Sequence, residues 1–195
     1  MLTIVEGRVL GCLIEKERTV ADQYPLTMNT LVSACNQSTS REPVMHLGEH
    51  EVLDALTAMK AEGFARVVHP SHGRSVTRYR HIADEKLVLD VPGAAIVAVL
   101  LLRGPQTVSE LRSRAERQHP FDNLGEVELV LHELATRQLV HLLERQPGHK
   151  EPRWQQLVAD EATPTQTVGS TGLGDRVADL EARVARLEAA LAELL

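Results

Sequence analysis

Apolar residues alternate between helical and strand-like spacing along this chain, and the same order occurs twice. Residues 51–82 align with residues 126–157 without a gap, at an offset of 75 positions. In each copy, apolar residues at intervals of three and four predict a helix, and two short segments around a glycine-containing turn predict a β-hairpin. A helix followed by a hairpin, found twice, favours a pair of winged-helix domains.

The segments before each copy complete a common order of three helices and two strands. In the first half the helices are predicted over residues 3–18, from Thr27 onward and over 49–62, and the strands over 65–69 and 76–82. In the second half the helices are predicted over 93–103, 107–118 and 125–138, and the strands over 139–144 and 153–158. Thr27 and Thr107 have the side chain and spacing of helix N-caps. The predicted fold is mainly α with small β-hairpins (α+β), in two tandem winged-helix domains.

A third pattern begins near the C-terminus. Residues 159–174 are rich in Thr, Gly, Pro and Ser, which predicts a flexible linker. Beyond them, apolar residues spaced alternately three and four apart form a heptad seam: Val177, Leu180, Val184, Leu187, Leu191 and Leu194. This seam favours a parallel two-stranded coiled coil and a homodimer, and the alternative is an amphipathic helix packed on its own chain. We therefore predict domains at 1–88 and 89–158, the linker, and a coiled-coil helix over 175–195.

Charge is unevenly distributed and limits the choice of partners. The formal net charge is −6, but residues 1–88 carry ten basic and eleven acidic residues and residues 89–158 carry eight and nine. The acidity is therefore concentrated after residue 158, and both predicted domains are nearly neutral. A typical nucleic-acid-binding domain is strongly basic, so composition alone does not favour nucleic acid.

Cysteine usage and apolar runs indicate a cytoplasmic protein. Cys12 and Cys35 have no Cys-x-x-Cys spacing and fall in apolar helical patterns, as buried reduced thiols do. The N-terminus lacks the basic segment of a signal peptide. The longest apolar run, residues 94–102, is too short for a transmembrane helix and predicts a buried core helix.

The first predicted wing is the main nucleic-acid candidate. Between residues 66 and 81 the chain has four arginines and no acid: Arg66, Arg74, Arg78 and Arg80. These side chains, with Arg41 in the polar loop 36–43, could contact the phosphates of double-stranded DNA. The alternative for the wing is a basic edge strand that prevents edge-to-edge pairing, and for the loop it is ordinary loop composition.

The predicted third helices argue against the usual winged-helix mode of DNA binding. In a winged helix this element usually enters the major groove. Both copies here are acidic, with Glu49, Glu51, Asp54 and Glu62 in the first and Glu126, Glu128 and Glu133 in the second. Placing such helices between phosphates costs electrostatic energy.

Motifs for catalysis, cofactors and metals are missing from the sequence. There is no glycine-rich phosphate loop, nucleophile motif or pair of catalytic carboxylates. His46, His50 and Asp54 share a spacing of four, but no second group completes a metal site. We expect a non-enzymatic protein with no cofactor and no metal.

Several short motifs in both halves carry a family resemblance. They are Asp22-Gln23-Tyr24-Pro25-Leu26, Ala34-Cys35-Asn36-Gln37, Arg41-Glu42-Pro43-Val44-Met45, Leu100-Leu101-Leu102-Arg103-Gly104 with Gln106-Thr107, and Glu110-Leu111-Arg112-Ser113-Arg114. These motifs resemble those of the YceH family of uncharacterised bacterial proteins. The likeness covers about residues 3–158 and implies a tandem winged-helix fold in a bacterial cytoplasm. It implies no activity, ligand or catalytic residue.

Two functions are consistent with these observations. The first is a dimeric DNA-binding protein, such as a transcriptional regulator, that uses the arginines of the first wing. The second is an adaptor that binds a protein partner through the tandem winged helices and binds no nucleic acid.

Overall fold

The two halves of the chain contain the same succession of three helices and an antiparallel hairpin. The computed structural model describes residues 1–69, 76–144 and 151–161. The first half contains α1 (Ile4–Thr19), a 3₁₀ turn (Ala21–Gln23), β1 (Leu26–Thr27), α2 (Met28–Cys35), α3 (Glu49–Ala61), β2 (Ala65–Val68) and β3 (Arg78–His81). The rest contains α4 (Ala83–Leu87), α5 (Val91–Arg103), α6 (Val108–Ala115), α7 (Leu124–Thr136), β4 (Val140–Leu142) and β5 (Trp154–Gln156). The predicted mainly α class with small hairpins is confirmed, and the assignment of each half to the winged-helix class stays a prediction.

The sequence repeat corresponds to a structural repeat. Helices α3 and α7 each contain 13 residues, and their ends differ by the 75 positions of the sequence offset. Strands β4 and β5 occupy the positions equivalent to β2 and β3, each shorter by one residue. The apolar pattern therefore located equivalent elements in both halves.

Side-chain caps set the starts of the helices. Thr27 Oγ1 accepts a hydrogen bond from the Thr30 amide at 3.3 Å, and Thr107 Oγ1 accepts one from the Glu110 amide at 3.2 Å. Both predicted caps are thus confirmed. Helix α5 begins two residues before its predicted start, because Asp90 Oδ1 accepts from the Gly93 amide at 2.9 Å and caps the helix.

Three features of the fold were not predicted. Strand β1 has only two residues, helix α4 has five, and the 3₁₀ turn has three. Helix α6 ends at Ala115, whereas the sequence predicts an end near residue 118. Elements this short fall below the window in which hydrophobic periodicity is informative.

Strand β3 is the central strand of a three-stranded antiparallel sheet in the order β1–β3–β2. It pairs with β2 through Ala65–His81, Arg66–Arg80 and Val68–Arg78, and with β1 through Thr27–Arg78. The interpretation of the basic segment as an edge strand is therefore wrong for β3, which carries Arg78 and Arg80, whereas β2, which carries Arg66, does lie at an edge of the sheet. Both edges of β3 are already occupied by backbone hydrogen bonds, so its arginines are not needed to block pairing.

Helices α1 and α5 pack against each other and join the two halves. A methyl group added at Gly11 would lie 2.9 Å from Leu102 Cγ and 3.1 Å from Leu101 Cβ. Residues on all sides of α5 are buried, as expected for a helix that is apolar around its whole circumference. The absence of a side chain at Gly11 allows this close approach.

Residues 158–160, after β5, form backbone hydrogen bonds with the N-terminal residue Leu2. The Leu2 amide donates to the Val158 carbonyl at 3.1 Å, and the Asp160 amide donates to the Leu2 carbonyl at 2.8 Å. Ala159 is buried, so the predicted linker boundary at residue 159 lies too early. Residues Met1–Glu161 form one compact unit, and the division at residue 88 stays a prediction.

Both cysteines lie in the core of the first half. Cys12 of α1 and Cys35 at the end of α2 are free thiols with no exposed surface. A hydrogen bond with Cys12, together with burial, raises the pKa of the Cys35 thiol. The prediction of buried, unbridged cysteines is confirmed.

Candidate interaction surfaces

Three arginines share the outer face of the β1–β3–β2 sheet. Arg66 lies directly opposite Arg80, and Arg78 lies two residues before Arg80 on the same strand, so the three side chains point to one side of the sheet. Tyr79 points to the other side and packs against the core. Trp154, its equivalent in the second half, is also buried. We call Arg66, Arg78 and Arg80 the arginine face.

The partners of the arginine face leave most of its positive charge in place. Arg78 Nη1 donates to the carbonyls of Gln23 and Pro25, at 3.2 and 2.8 Å. Arg80 Nε donates to the His81 carbonyl at 3.3 Å. Neutral carbonyls orient a guanidinium but do not cancel its charge.

Only Arg66, within the described residues, has a carboxylate partner on the arginine face. Its Nη2 lies 3.3 Å from Glu85 Oε2, and both side chains are more than half exposed. An exposed ion pair of this kind is worth little because water screens it. The arginine face is therefore a positively charged surface open to solvent.

His81, the buried last residue of β3, is the centre of a polar cluster next to the arginine face. His81 Nε2 lies 3.0 Å from Glu17 Oε2, and His81 Nδ1 accepts from the Ala83 amide at 3.3 Å. The Tyr24 hydroxyl accepts from the His81 amide at 2.9 Å. Burial lowers the pKa of His81 despite the carboxylates of Glu17 and Asp84. The neutral ring thus links α1 to the end of β3.

Arg41 does not belong to a solvent-facing surface. Its side chain has no exposed area, and both its terminal nitrogens bind the Glu15 carboxylate. Its Nε donates to the Ala34 carbonyl at 3.0 Å. The prediction that Arg41 contacts phosphate is therefore wrong, because this buried guanidinium anchors the loop after α2.

The polar loop 36–43 is held by side chains from α1 and α5. Lys16 Nζ of α1 donates to Gln37 Oε1 at 3.4 Å, and Arg103 of α5 donates to Ser40 Oγ at 2.6 Å. Arg8, also buried, donates from Nη2 to the Pro43 carbonyl at 2.6 Å. The loop therefore packs against α1 and α5, where the two halves meet.

The acidic residues of α3 are exposed. Glu49, Glu51 and Asp54 all face solvent, with Leu53 between them 44% exposed. Asp54 Oδ2 lies 2.8 Å from His50 Nδ1, and within the described residues no Lys or Arg side chain pairs with these carboxylates. The helix thus presents carboxylates and a leucine together.

Helix α7 presents a similar surface in the second half. Glu128 and Glu133 are exposed. Leu124 lies before them in the helix, and Leu129, which is 74% exposed, lies between them. An open groove of about 420 Å³ adjoins this helix and is lined by Ser109, Arg112, Ser113, Glu116 and Leu124. We call the exposed carboxylates and leucines of α3 and α7 the acidic helix faces.

Some predicted sites lie outside the described residues. These are Arg74 of the wing and the seam residues Val177, Leu180, Val184, Leu187, Leu191 and Leu194. Within the described ranges, no group of three or more His, Cys, Asp or Glu side chains could hold a metal ion. In the same ranges, no helix combines the length and apolar character needed to cross a bilayer.

The exposed leucines are the surface feature that sequence analysis missed. Leu129 lies two positions from the buried Val127 and two from the buried Leu131, so in the sequence it looks like one more apolar residue of the core. Its position is nevertheless off the apolar face, since Val127, Leu131 and Leu134 follow each other at intervals of four and three. A strict helical projection could have identified Leu129 as exposed.

The fold is thus that of a mainly α protein with two small antiparallel sheets. The family model described as "Protein of unknown function, DUF480" matches residues 2–149. The chain belongs to this family, which confirms the resemblance to uncharacterised bacterial proteins.

Relatives from several bacteria span nearly the whole chain. A UPF0502 protein of Geobacter sulfurreducens is 48% identical over 199 residues, covering 100% of this chain and 90% of that protein. A UPF0502 protein of Dechloromonas aromatica is 43% identical over 200 residues, covering 99% and 92%. One of Klebsiella pneumoniae is 45% identical over 201 residues, covering 99% and 92%. These names assign no activity.

Proposed function

We propose that this chain is a non-enzymatic adaptor of the bacterial cytoplasm that binds a protein partner through its acidic helix faces. In this proposal the two halves are winged-helix units, and the helix over residues 175–195 pairs two copies. The observation that supports it is the exposure of carboxylates and leucines on both equivalent helices, α3 and α7. The faces are not buried between the halves, so both remain open for binding.

Electrostatics favours protein over DNA at these faces. The helix that would enter a DNA groove carries Glu49, Glu51 and Asp54 on its solvent side. Those carboxylates would approach phosphates, while Lys60, the one Lys or Arg of α3, lies in the last turn of the helix. A protein partner with Lys or Arg side chains would gain from the same carboxylates, and charge complementarity of this kind speeds and orients association.

Leucine exposure adds a requirement on the partner. Leu53 and Leu129 would each contribute apolar area if covered, and buried apolar anchors usually provide most of the affinity of an interface. The partner surface should therefore combine apolar residues with a basic rim. A basic amphipathic helix has this chemistry.

Affinity capture with the full-length chain tests the adaptor function. A nuclease-treated bacterial lysate should yield one stoichiometric protein partner, and Leu129→Asp should abolish its recovery. Leu157→Asp is the matched control, because Leu157 is also an exposed leucine but lies after β5. Absence of a stoichiometric partner, or equal recovery with Leu129→Asp and an equivalent Leu53→Asp variant, contradicts the proposal.

A second candidate function is binding of duplex DNA through the arginine face. It is favoured by the cross-strand position of Arg66 and Arg80, which puts two guanidinium groups on one exposed surface. Binding of this type would contact phosphates without reading sequence and would weaken steeply with salt. DNA binding through the arginine face is compatible with the acidic helix α3 only if α3 stays outside the major groove of the DNA.

A titration with mixed-sequence duplex at low salt tests the DNA function. Arg66→Ala with Arg80→Ala should weaken binding and reduce its salt dependence, since each lost phosphate contact lowers the salt slope by about one. Arg137→Ala, an arginine near the end of α7, is the control. No binding by the parent protein, or identical binding by the double variant, rules this function out.

A further inference from the structure

The arginine face combines positive charge with apolar area. Val68 lies two residues after Arg66 on β2 and directly opposite Arg78, so its side chain points to the same side of the sheet as the three arginines. Val68 is half-buried, and Val76, two residues before Arg78, is 63% exposed. The arginine face therefore adjoins apolar side chains on a surface that is open to solvent.

The charges of the arginine face are close together and only weakly compensated. Arg66 and Arg80 are cross-strand neighbours, a position that puts Cβ atoms about 4.5–5.5 Å apart. Arg78 and Arg80 are alternate residues of one strand, about 7 Å apart. Like charges at these spacings repel one another, and within the described residues only Arg66 has a carboxylate partner, the exposed Glu85. A surface that carries carboxylates would remove this repulsion.

Helix α3 presents a surface with the complementary chemistry. Glu49, Leu53 and Asp54 are all exposed, and we call them the α3 face. Glu49 lies one helical turn before Leu53, so their Cβ atoms are about 5–6 Å apart, which is close to the spacing of the arginines. Lys60 lies seven positions after Leu53, about 10 Å further along the helix. The α3 face therefore offers carboxylates beside an apolar residue.

The arginine face and the α3 face belong to one compact unit, and both are exposed in it. The side chain of Arg66 is 57% exposed and that of Asp54 is 67% exposed. Neither face therefore covers or neutralises the other within a single chain. Contact between two chains would bring the arginines to carboxylates and would cover Leu53 and Val68.

We infer that the arginine face of one copy of this chain binds the α3 face of a second copy. Opposite charges orient the encounter of the two surfaces, and covering Leu53 and Val68 adds apolar burial. Guanidinium groups suit this contact because their paired donors match the two oxygens of a carboxylate. Each copy carries both faces, so copies join head to tail, in a closed ring or in an open chain.

This inference rests on the proposed adaptor function, because it uses one of the acidic helix faces as a protein-binding surface. It assigns the α3 face to a second copy of the chain. The equivalent face of α7, with the exposed Leu129, is left for a different protein. The contact does not involve the predicted heptad seam, which lies outside the described residues.

Charge reversal in the full-length chain tests the contact, with Leu187→Asp present in every protein to remove pairing through the predicted seam. Sedimentation velocity at about 0.01 M salt, where the Debye length is about 30 Å, should show a mass that rises with protein concentration. At about 1 M salt, where the Debye length is about 3 Å, the protein should be a monomer. Arg66→Glu with Arg80→Glu should weaken the association at low salt at least about tenfold, and so should Glu49→Lys with Asp54→Lys.

A mixture of the two double variants keeps the test sharp even if a variant folds poorly. Each double variant retains one unchanged face, so an equimolar mixture should recover the association that each variant lacks alone. Arg18→Glu with Arg117→Glu is the matched control, because it makes the same change of net charge at exposed arginines of α1 and of the turn after α6. This control should associate as strongly as the protein with unchanged faces.

A protein with unchanged faces that stays monomeric at low salt overturns the inference, and so does a mixture that does not associate. Equal association of either double variant and the protein with unchanged faces overturns it as well. Capture of a partner through Leu129 without self-association contradicts this inference alone. Self-association without a captured partner supports the inference and contradicts the adaptor role of α7.

Discussion

Arg41 binds the Glu15 carboxylate through both terminal nitrogens, at 3.2 Å from Nη1 to Oε1 and 2.6 Å from Nη2 to Oε2. The pair joins the loop after α2 to α1, and the Arg41 side chain is completely buried. Burial alone would raise the pKa of Glu15, but hydrogen bonds and charge from Arg41 lower it. The mostly buried Glu15 carboxylate is therefore ionised, and Arg41, together with Lys16 at 3.0 Å, stabilises its charged form.

Replacing Arg41 should destabilise the fold strongly. Arg41→Met leaves the Glu15 carboxylate with Lys16 Nζ, at 3.0 Å, as its remaining cationic partner and leaves the Ala34 carbonyl without its donor, at a cost of about 3 kcal/mol in the free energy of unfolding. Urea denaturation at neutral pH measures the change. Arg66→Met is the control, because it breaks an exposed pair with Glu85 and should cost less than about 1 kcal/mol. Equal effects of the two substitutions would contradict the structural role of Arg41.

Stability should fall as the pH is lowered below about 6.5. Burial lowers the pKa of His81 beneath its ordinary value of 6.5, against the attraction of Glu17 and Asp84 and with a small contribution from Arg80. The unfolded chain then binds a proton more readily than the folded one, so acid favours unfolding. The contribution of His81 is complete above pH 6.5 and is lost as the pH falls toward the lower folded-state pKa, at no more than about 1.4 kcal/mol per pH unit.

Denaturant midpoints measured between pH 7 and pH 5, an interval chosen to bracket the ordinary histidine pKa of about 6.5, should reveal this dependence. His81→Gln should flatten the profile, since a neutral amide takes up no proton. His50→Gln, at a side chain that is 87% exposed, should leave the profile close to that of the parent protein. A profile equally steep in His81→Gln would show that other groups cause it.

Crowding between α1 and α5 should make Gly11 intolerant of alanine. The added methyl group would lie 2.9 Å from Leu102 Cγ and 3.1 Å from Leu101 Cβ, which forces the helices apart. Alanine gains up to about 1 kcal/mol in helix propensity, but overpacking costs about 1–3 kcal/mol, so we expect net destabilisation. Thermal unfolding compares this variant with Gly48→Ala, whose nearest added contact is 3.6 Å, at a Glu51 carboxylate oxygen. A more stable Gly11→Ala protein would be inconsistent with this packing.

The predicted coiled coil can be tested in solution. Leu187 is a d position of the heptad seam, so Leu187→Asp should convert a dimer to a monomer, because a buried unpaired charge opposes association. Ala189→Asp introduces the same charge at an outward f position and should leave the dimer intact. Light scattering coupled to size exclusion gives the mass directly. A mass unchanged by Leu187→Asp refutes pairing through the seam.

Local chemistry explains why most elements could be predicted. Thr27 and Thr107 each cap a helix at the predicted position, and the paired apolar patterns place α3 and α7 75 residues apart. Alternation along β3 correctly separates Tyr79 from Arg78 and Arg80. Caps and periodicity depend on neighbours within a few positions, so a linear sequence contains them.

Whether a charged side chain is buried or exposed could not be predicted from its neighbours in the sequence. Arg41 and Arg66 are both arginines of the first half, yet the side chain of Arg41 is completely buried and that of Arg66 is 57% exposed. What separates them is the arrival of Glu15 from α1, 26 positions away in sequence. Long-range pairing of this kind has no local signature.

The sequence by itself determined the class of fold, the equivalence of the two halves and the buried cysteines, because periodicity, capping and composition act over short distances. The tertiary structure decided that β3 is a central strand, that Arg41 anchors a loop, and that Leu129 is exposed beside carboxylates. It also brought Ser40 and Arg103 together from segments 63 positions apart in the sequence. Such contacts follow from how α1 packs on α5, which depends on shape and burial across the whole body and cannot be assigned from any one segment.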